Sequence, residues 1–119
     1  MLSGEYRASC QLPDVFGDSA LEEAVSVLRV EAPELVPLIE RVLRQPPIEK
    51  PQRHTNEGWT DYIRVSLAFS DAETIRDAFV SKEIEAVSPE GGTTALARYY
   101  AGMADAWTNY LVWLEDGRL

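Results

Sequence analysis

The segment from Thr93 to Glu115 limits the fold more than any other part of the chain, because nowhere else is so much apolar and aromatic surface set at one period. At about 100° per residue, one side of it holds Leu96, Tyr100, Met103, Trp107, Leu111 and Leu114. Tyr99, Ala106, Tyr110 and Trp113 widen that side on one flank, while Arg98, Asp105, Thr108, Asn109 and Asp116 gather opposite. The spacing predicts a helix of about six turns. Gly91 and Gly92 break the chain ahead of it, Thr93 or Thr94 is placed to cap its first turn, and Gly117 to end it.

A chain of 119 residues is one domain's worth, large enough to bury a core without disulfide or metal support. Cys10 is the single cysteine, so no internal bridge can form, and a cysteine in an apolar alternation is usually a small core residue. The opening MLSGEYRASC has no basic stretch followed by a long apolar run, so neither a signal peptide nor a membrane span is expected and a cytoplasmic location is the default.

The net charge is −9, with 6 basic and 10 acidic residues up to Gly58 and 5 basic and 10 acidic from Trp59 onward. The acidity therefore belongs to the whole surface rather than to a tail. Such a field disfavours nucleic acid and anionic membranes, since neutralising phosphates takes clustered Lys and Arg, and it favours a partner with a basic surface. The plain alternative is that it only keeps the domain soluble.

In chain order, Glu5 to Leu12 alternates, with Tyr6, Ala8, Cys10 and Leu12 on one side, and predicts a half-buried strand. Phe16 is expected to anchor the loop after it. Ser19 with Glu22 reads as a capping box opening a helix at Ala20, with Leu21, Ala24, Val25 and Leu28 inward and an end before Pro33. Pro33 can open a second helix whose core face is Leu35, Leu38, Ile39, Val42 and Leu43, with Pro37 in its first turn and Pro46 and Pro47 ending it. The two helices would meet in a hairpin or a sharp elbow at Glu31 to Pro33. Residues 48–58 form a polar loop in which Arg53 and His54 make the only locally basic spot; a single His without a matched ligand or acid is read as an ordinary exposed residue. Trp59 to Phe69 alternates over eleven residues and predicts the longest strand, solvated near Asp61. Ser70 with Glu73 suggests another capping box, followed by a helix burying Ala72, Ile75, Ala78 and Phe79. Residues 83–88 suit either more helix or a short edge strand.

Together these elements give a small two-layer α+β domain, two or three strands covered by about four helices with the long amphipathic helix last, in a single unit from 1 to 119. A mostly helical bundle with a peripheral hairpin is the structural alternative.

Motifs for chemistry are sparse. Gly91-Gly92-Thr93-Thr94 precedes a helix start, yet it lacks the glycine spacing and the Lys of a phosphate-binding loop. Acidic pairs such as Glu22 with Glu23 and Glu115 with Asp116 fall on exposed faces. No Ser, His and Asp set, metal-ligand spacing or cofactor fingerprint is recognisable, so neither an enzyme nor a cofactor is expected. Of the eleven aromatic residues, nine lie from Trp59 onward, and Trp and Tyr are enriched at binding hot spots. The expected function is therefore a small acidic interaction module that binds and inhibits or regulates another protein, resembling antiactivators, immunity proteins or anti-defence proteins in size and charge only. Contact would run through Tyr99, Gly102, Ala106, Tyr110 and Trp113, and a homodimer joined at least partly through this flank of the C-terminal helix is expected. The alternative is a small-molecule-binding homodimeric α+β domain with an aromatic pocket between the last helix and the sheet, lined by Tyr99, Tyr100, Met103, Trp107 and Tyr110.

Overall fold

The computed structural model describes residues 3–50 and 60–116. In order they form α1 (Ser3–Cys10), β1 (Val15–Gly17), α2 (Asp18–Glu31), a 3₁₀ turn (Pro33–Leu35), α3 (Val36–Leu43), β2 (Tyr62–Arg64), α4 (Phe69–Glu85) and α5 (Ala95–Glu115). The class is α+β, as expected: a two-stranded antiparallel ribbon with helices packed around it. No helix among the described residues is long and apolar enough to cross a membrane.

The ribbon pairs Val15 with Arg64, Phe16 with Ile63 and Gly17 with Tyr62. At Gly17 a Cβ would stand 3.0 Å from the Thr60 methyl, so a larger residue there would require that side chain to give way. The strand expected over Glu5 to Leu12 is instead helix α1. Eight residues of alternation also satisfy a helix, because Tyr6 and Cys10 are four apart and fall on one side. The segment contains no β-branched residue, and Glu, Arg, Ala and Gln favour the helical state. Phe16, expected as a loop anchor, takes the ribbon position instead and stacks on Trp107 with ring centroids 4.3 Å apart.

The second expected strand is paired only over Tyr62 to Arg64, because its partner is three residues long. The alternation still holds beyond the ladder: Ile63, Val65 and Leu67 are buried. Past the assigned pairs, the Val65 N–H donates to the Asp14 carbonyl at 2.7 Å in the same register, and the Leu67 N–H donates to the Tyr110 hydroxyl at 2.8 Å. Phe69, placed on the core face by the alternation, is 38% exposed because the chain turns into α4 there. Trp59, the Arg53 and His54 spot, and Gly117 lie outside the described residues.

Both expected capping boxes fail to form. The N-cap of α2 is Gly17 and that of α4 is Ala68, neither with a side-chain cap. At α2 the Asp18 N–H donates to the Asp61 carbonyl at 2.8 Å, so the adjoining strand satisfies a terminal donor that a box would otherwise serve. Only α5 has its expected cap, Thr94, whose hydroxyl accepts from the Ala97 N–H at 3.0 Å and donates to the Ala86 carbonyl at 2.7 Å. That second bond ties α5 to the end of α4, which runs on as helix through Glu85.

Leu21, Ala24, Val25, Val27 and Leu28 of α2 join Ile39 and Val42 of α3, Ala72, Ile75, Ala78 and Phe79 of α4, and the buried positions of α5 in one core. The elbow between α2 and α3 turns at Ala32, φ −155° and ψ 70°, and Pro37 sits in the first turn of α3. The helices α4 and α5 share the most extensive contact and run antiparallel, with Phe79 against Tyr100 and Ala86 against Thr94.

Candidate functional site

Helix α5 passes from core to surface along its length. Leu96, Met103, Trp107, Tyr110 and Leu114 recur on one side at about 100° per residue. Toward the C-terminal half that side is covered: Trp107 and Tyr110 are fully buried, stacked on or edged against Phe16 at 4.3 and 6.1 Å. Toward the N-terminus the covering stops. Leu96 is 54% exposed rather than core, Tyr99 is 47% exposed, and Met103 is half-buried.

Of the flank named as the contact surface, Tyr99 and Gly102 are exposed, Ala106 and Trp113 half-buried, and Tyr110 is core. Tyr110 departs from expectation because its hydroxyl has a buried task, accepting from the Leu67 N–H. The continuous stripe thus divides into Tyr99, Gly102 and Ala106 at one end and Trp113 at the other. Tyr99 and Trp113 are fourteen residues apart, or roughly 21 Å along the helix. The five residues of the alternative pocket do not line one hollow either, since Trp107 and Tyr110 are packed into the ribbon while Tyr99 faces out.

Around Tyr99 the surroundings are aromatic and acidic. Its ring meets Tyr100 edge-on at 5.5 Å. Its phenol is held above the ordinary value, first by local burial and then by the negative charge of Glu23 on α2, with a smaller contribution from Tyr100. At Gly102, a Cβ would meet no atom within 4 Å.

The Gly91-Gly92 turn before α5 holds Gly91 at φ +84°, which glycine adopts without strain. Its donors are used internally: the Gly91 N–H donates to the Ser88 carbonyl at 2.8 Å and the Gly92 N–H to the Ser88 hydroxyl at 2.9 Å. Nothing of a phosphate cradle is left pointing outward from these two amides. Among the described residues, no group of three or more His, Cys, Asp and Glu is arranged to hold a metal ion.

A hollow that sequence reasoning missed opens beside α1, where Tyr6, Arg7, Cys10, Gln11, Thr60 and Tyr62 surround about 410 Å³. The signal for it is the spacing of four between Tyr6 and Cys10, which was read as strand alternation. Tyr6 and Tyr62 meet edge-on at 6.4 Å. The Tyr6 phenol is pushed up to about 12, chiefly by burial and next by its hydrogen bond with Cys10. Since the folded value lies above the ordinary 10.0, Tyr6 contributes stability that is present below about pH 10 and lost as pH rises toward 12. Alkaline unfolding followed by circular dichroism should show this fall, and Tyr6→Phe should flatten it; an unchanged slope in that variant would remove Tyr6 as its source.

No protein-family model, curated protein or solved structure matches the chain.

Proposed function

We propose that the protein binds another protein of basic surface, and inhibits or regulates it without catalysing a reaction, through the N-terminal half of α5. The observation that carries this reading is the emergence of the helix's apolar side, uncovered, at Leu96 and Tyr99, with Met103 half-buried behind them. Exposed aromatic and aliphatic residues grouped on one helix are the usual anchors of an interface. The negative charge of Glu23, felt at the Tyr99 hydroxyl, and the net charge of −9 supply an acidic setting that speeds encounter with cations. Compartment follows the partner, with the cytoplasm the simplest proposal.

A homodimer through the same face is the second reading. Gly102 favours it, since the open space there lets another helix approach closely, whereas like net charge on both copies opposes it.

Partners captured from native extract and identified by mass spectrometry provide the material for the test. The association rate should fall about tenfold or more between low and high salt, because ions screen steering. Tyr99→Glu together with Leu96→Glu should abolish capture while leaving the fold intact, both positions being exposed. A rate flat in salt refutes the electrostatic part, and undiminished capture by the double variant refutes the surface. Sedimentation of the chain alone separates the second reading, which requires a dimer that the same double variant dissolves.

A further inference from the structure

At the C-terminal end of α5, Trp113 stands between two hollows. One, of about 400 Å³, is walled by Gln11 and Pro13 from the turn after α1 and by Asn109, Val112, Trp113 and Asp116 of the helix end. The other, about 300 Å³, lies toward Asp14, Arg64 and Ser66. The Trp113 ring stacks on Tyr110 at 5.8 Å and 24°, and Tyr110 is itself fixed to the Leu67 backbone at 2.8 Å. Trp113 is therefore a supported wall, not a side chain that must be ordered on binding, which lowers the entropy cost of using it.

The first hollow combines three kinds of group. Pro13, Val112 and Trp113 make an apolar wall, with Val112 48% exposed and neighbouring Leu12 42%. Gln11 and Asn109 carry carboxamides, each offering both donors and an acceptor, the complement of a peptide group. Asp116 brings a carboxylate, and among the described residues no Lys or Arg lines the hollow. Among the described residues of the second hollow the one cation, Arg64, is engaged with the buried Asp14 at 2.9 Å. Among the described residues around Trp113, the charge left without an ion-pair partner is thus the carboxylate of Asp116. A volume near 400 Å³ falls at the low end of the range for small-molecule sites, roughly 300–1,000 Å³, which suits one side chain with its flanking peptide groups.

We propose that this hollow docks a short segment of a partner protein carrying an aliphatic or aromatic residue next to a Lys or Arg. The apolar side chain lies against Val112 and Trp113, the neighbouring peptide groups bond to Gln11 and Asn109, and the cation reaches Asp116. An acidic segment is rejected by Asp116, and a second copy of this chain brings a surface of the same sign. The proposal shares with the function given above only the premise that the ligand is a protein, because the two surfaces lie roughly 21 Å apart along α5.

The Trp113 indole N–H and the side-chain amides of Gln11 and Asn109 report directly in a ¹⁵N-correlated NMR spectrum. The full chain is titrated with the blocked peptide acetyl-Gly-Leu-Arg-Gly-amide and with its counterpart carrying Glu for Arg. The three signals should move together and saturate at millimolar peptide, and the Glu peptide should bind at least fivefold more weakly. Asp116→Lys should erase that preference and Val112→Arg should abolish binding of the Arg peptide. Both residues are exposed, so the fold tolerates the changes. Tyr99→Glu should leave the titration unaltered even if it destroys partner capture, which keeps this site's failure distinct from that of the other. Static signals, equal response to the two peptides, a preference that survives Asp116→Lys, or a sedimenting dimer dissolved by Val112→Arg would each overturn the proposal.

Discussion

Replacing Trp107 with alanine should lower stability by about 3–5 kcal/mol, the range for deleting a large aromatic side chain from a core. Trp107 is fully buried, stacked on Phe16 at 4.3 Å and set edge-on to Tyr110 at 5.9 Å, so it joins the ribbon to the long helix. Neither neighbour can follow into the vacated space: Phe16 is held in the strand pairing and Tyr110 by its hydroxyl. Because a domain of this size has a total stability of only about 5–15 kcal/mol, the variant should lose a large share of its margin against unfolding. Trp107→Phe should cost much less. The indole Nε1 is buried with no hydrogen-bond partner among the described residues, so phenylalanine removes volume but also a desolvated donor. Urea unfolding followed by far-ultraviolet circular dichroism measures both. A loss below about 1 kcal/mol for Trp107→Ala would mean that this junction is not the centre of the core.

Tyr110→Phe should cost about 1–3 kcal/mol, although it deletes a single oxygen. That oxygen accepts from the Leu67 N–H at 2.8 Å and lies 3.4 Å from the carbonyls of Val65 and Leu67. Leu67 is past the end of the ribbon, where no second strand supplies an acceptor. Removing the hydroxyl leaves a buried backbone donor without its partner, the expensive kind of hydrogen-bond loss. The same urea experiment reads the change, with the slope of free energy against urea expected to stay constant because the surface exposed on unfolding is unaltered. No measurable loss would show that water replaces the hydroxyl.

Helix positions and their inward faces were legible in the sequence wherever a period extended over three or more turns. The core positions of α2 and α4 fall where the spacing puts Leu21, Ala24, Val25 and Leu28, and Ala72, Ile75, Ala78 and Phe79. Periodicity failed over short spans, where two periods agree: Tyr6, Cys10 and their neighbours alternate as a strand would, yet four-residue spacing and helix-forming residues decide otherwise. It also failed at the ends of elements, where tertiary bonds replace local ones, as when the Asp61 carbonyl serves the start of α2. For α5 the pattern identified the apolar side but not how far along the helix that side is covered. That depends on Phe16 and Leu67, which are distant in sequence, so Leu96 and Tyr110 exchanged the environments expected of them. The hollow beside Trp113 could not be read at all, because Gln11 and Pro13 reach it only through the fold.

The uneven covering of α5 also gives the helix an uneven resistance to opening. Amides near Trp107 and Leu111 sit over a fully buried junction and are released only when the whole domain unfolds, whereas the first turns are held by the Thr94 cap, the buried Ala97 and the adjoining end of α4. Their hydrogen exchange should proceed through local opening at lower free energy. A partner that settles on Leu96 and Tyr99 must hold these turns closed, so part of its binding energy is spent in ordering them and is returned as slower exchange along that half of the helix. Affinity at this end of the protein is therefore adjustable by residues that never touch the partner, Thr94 first among them.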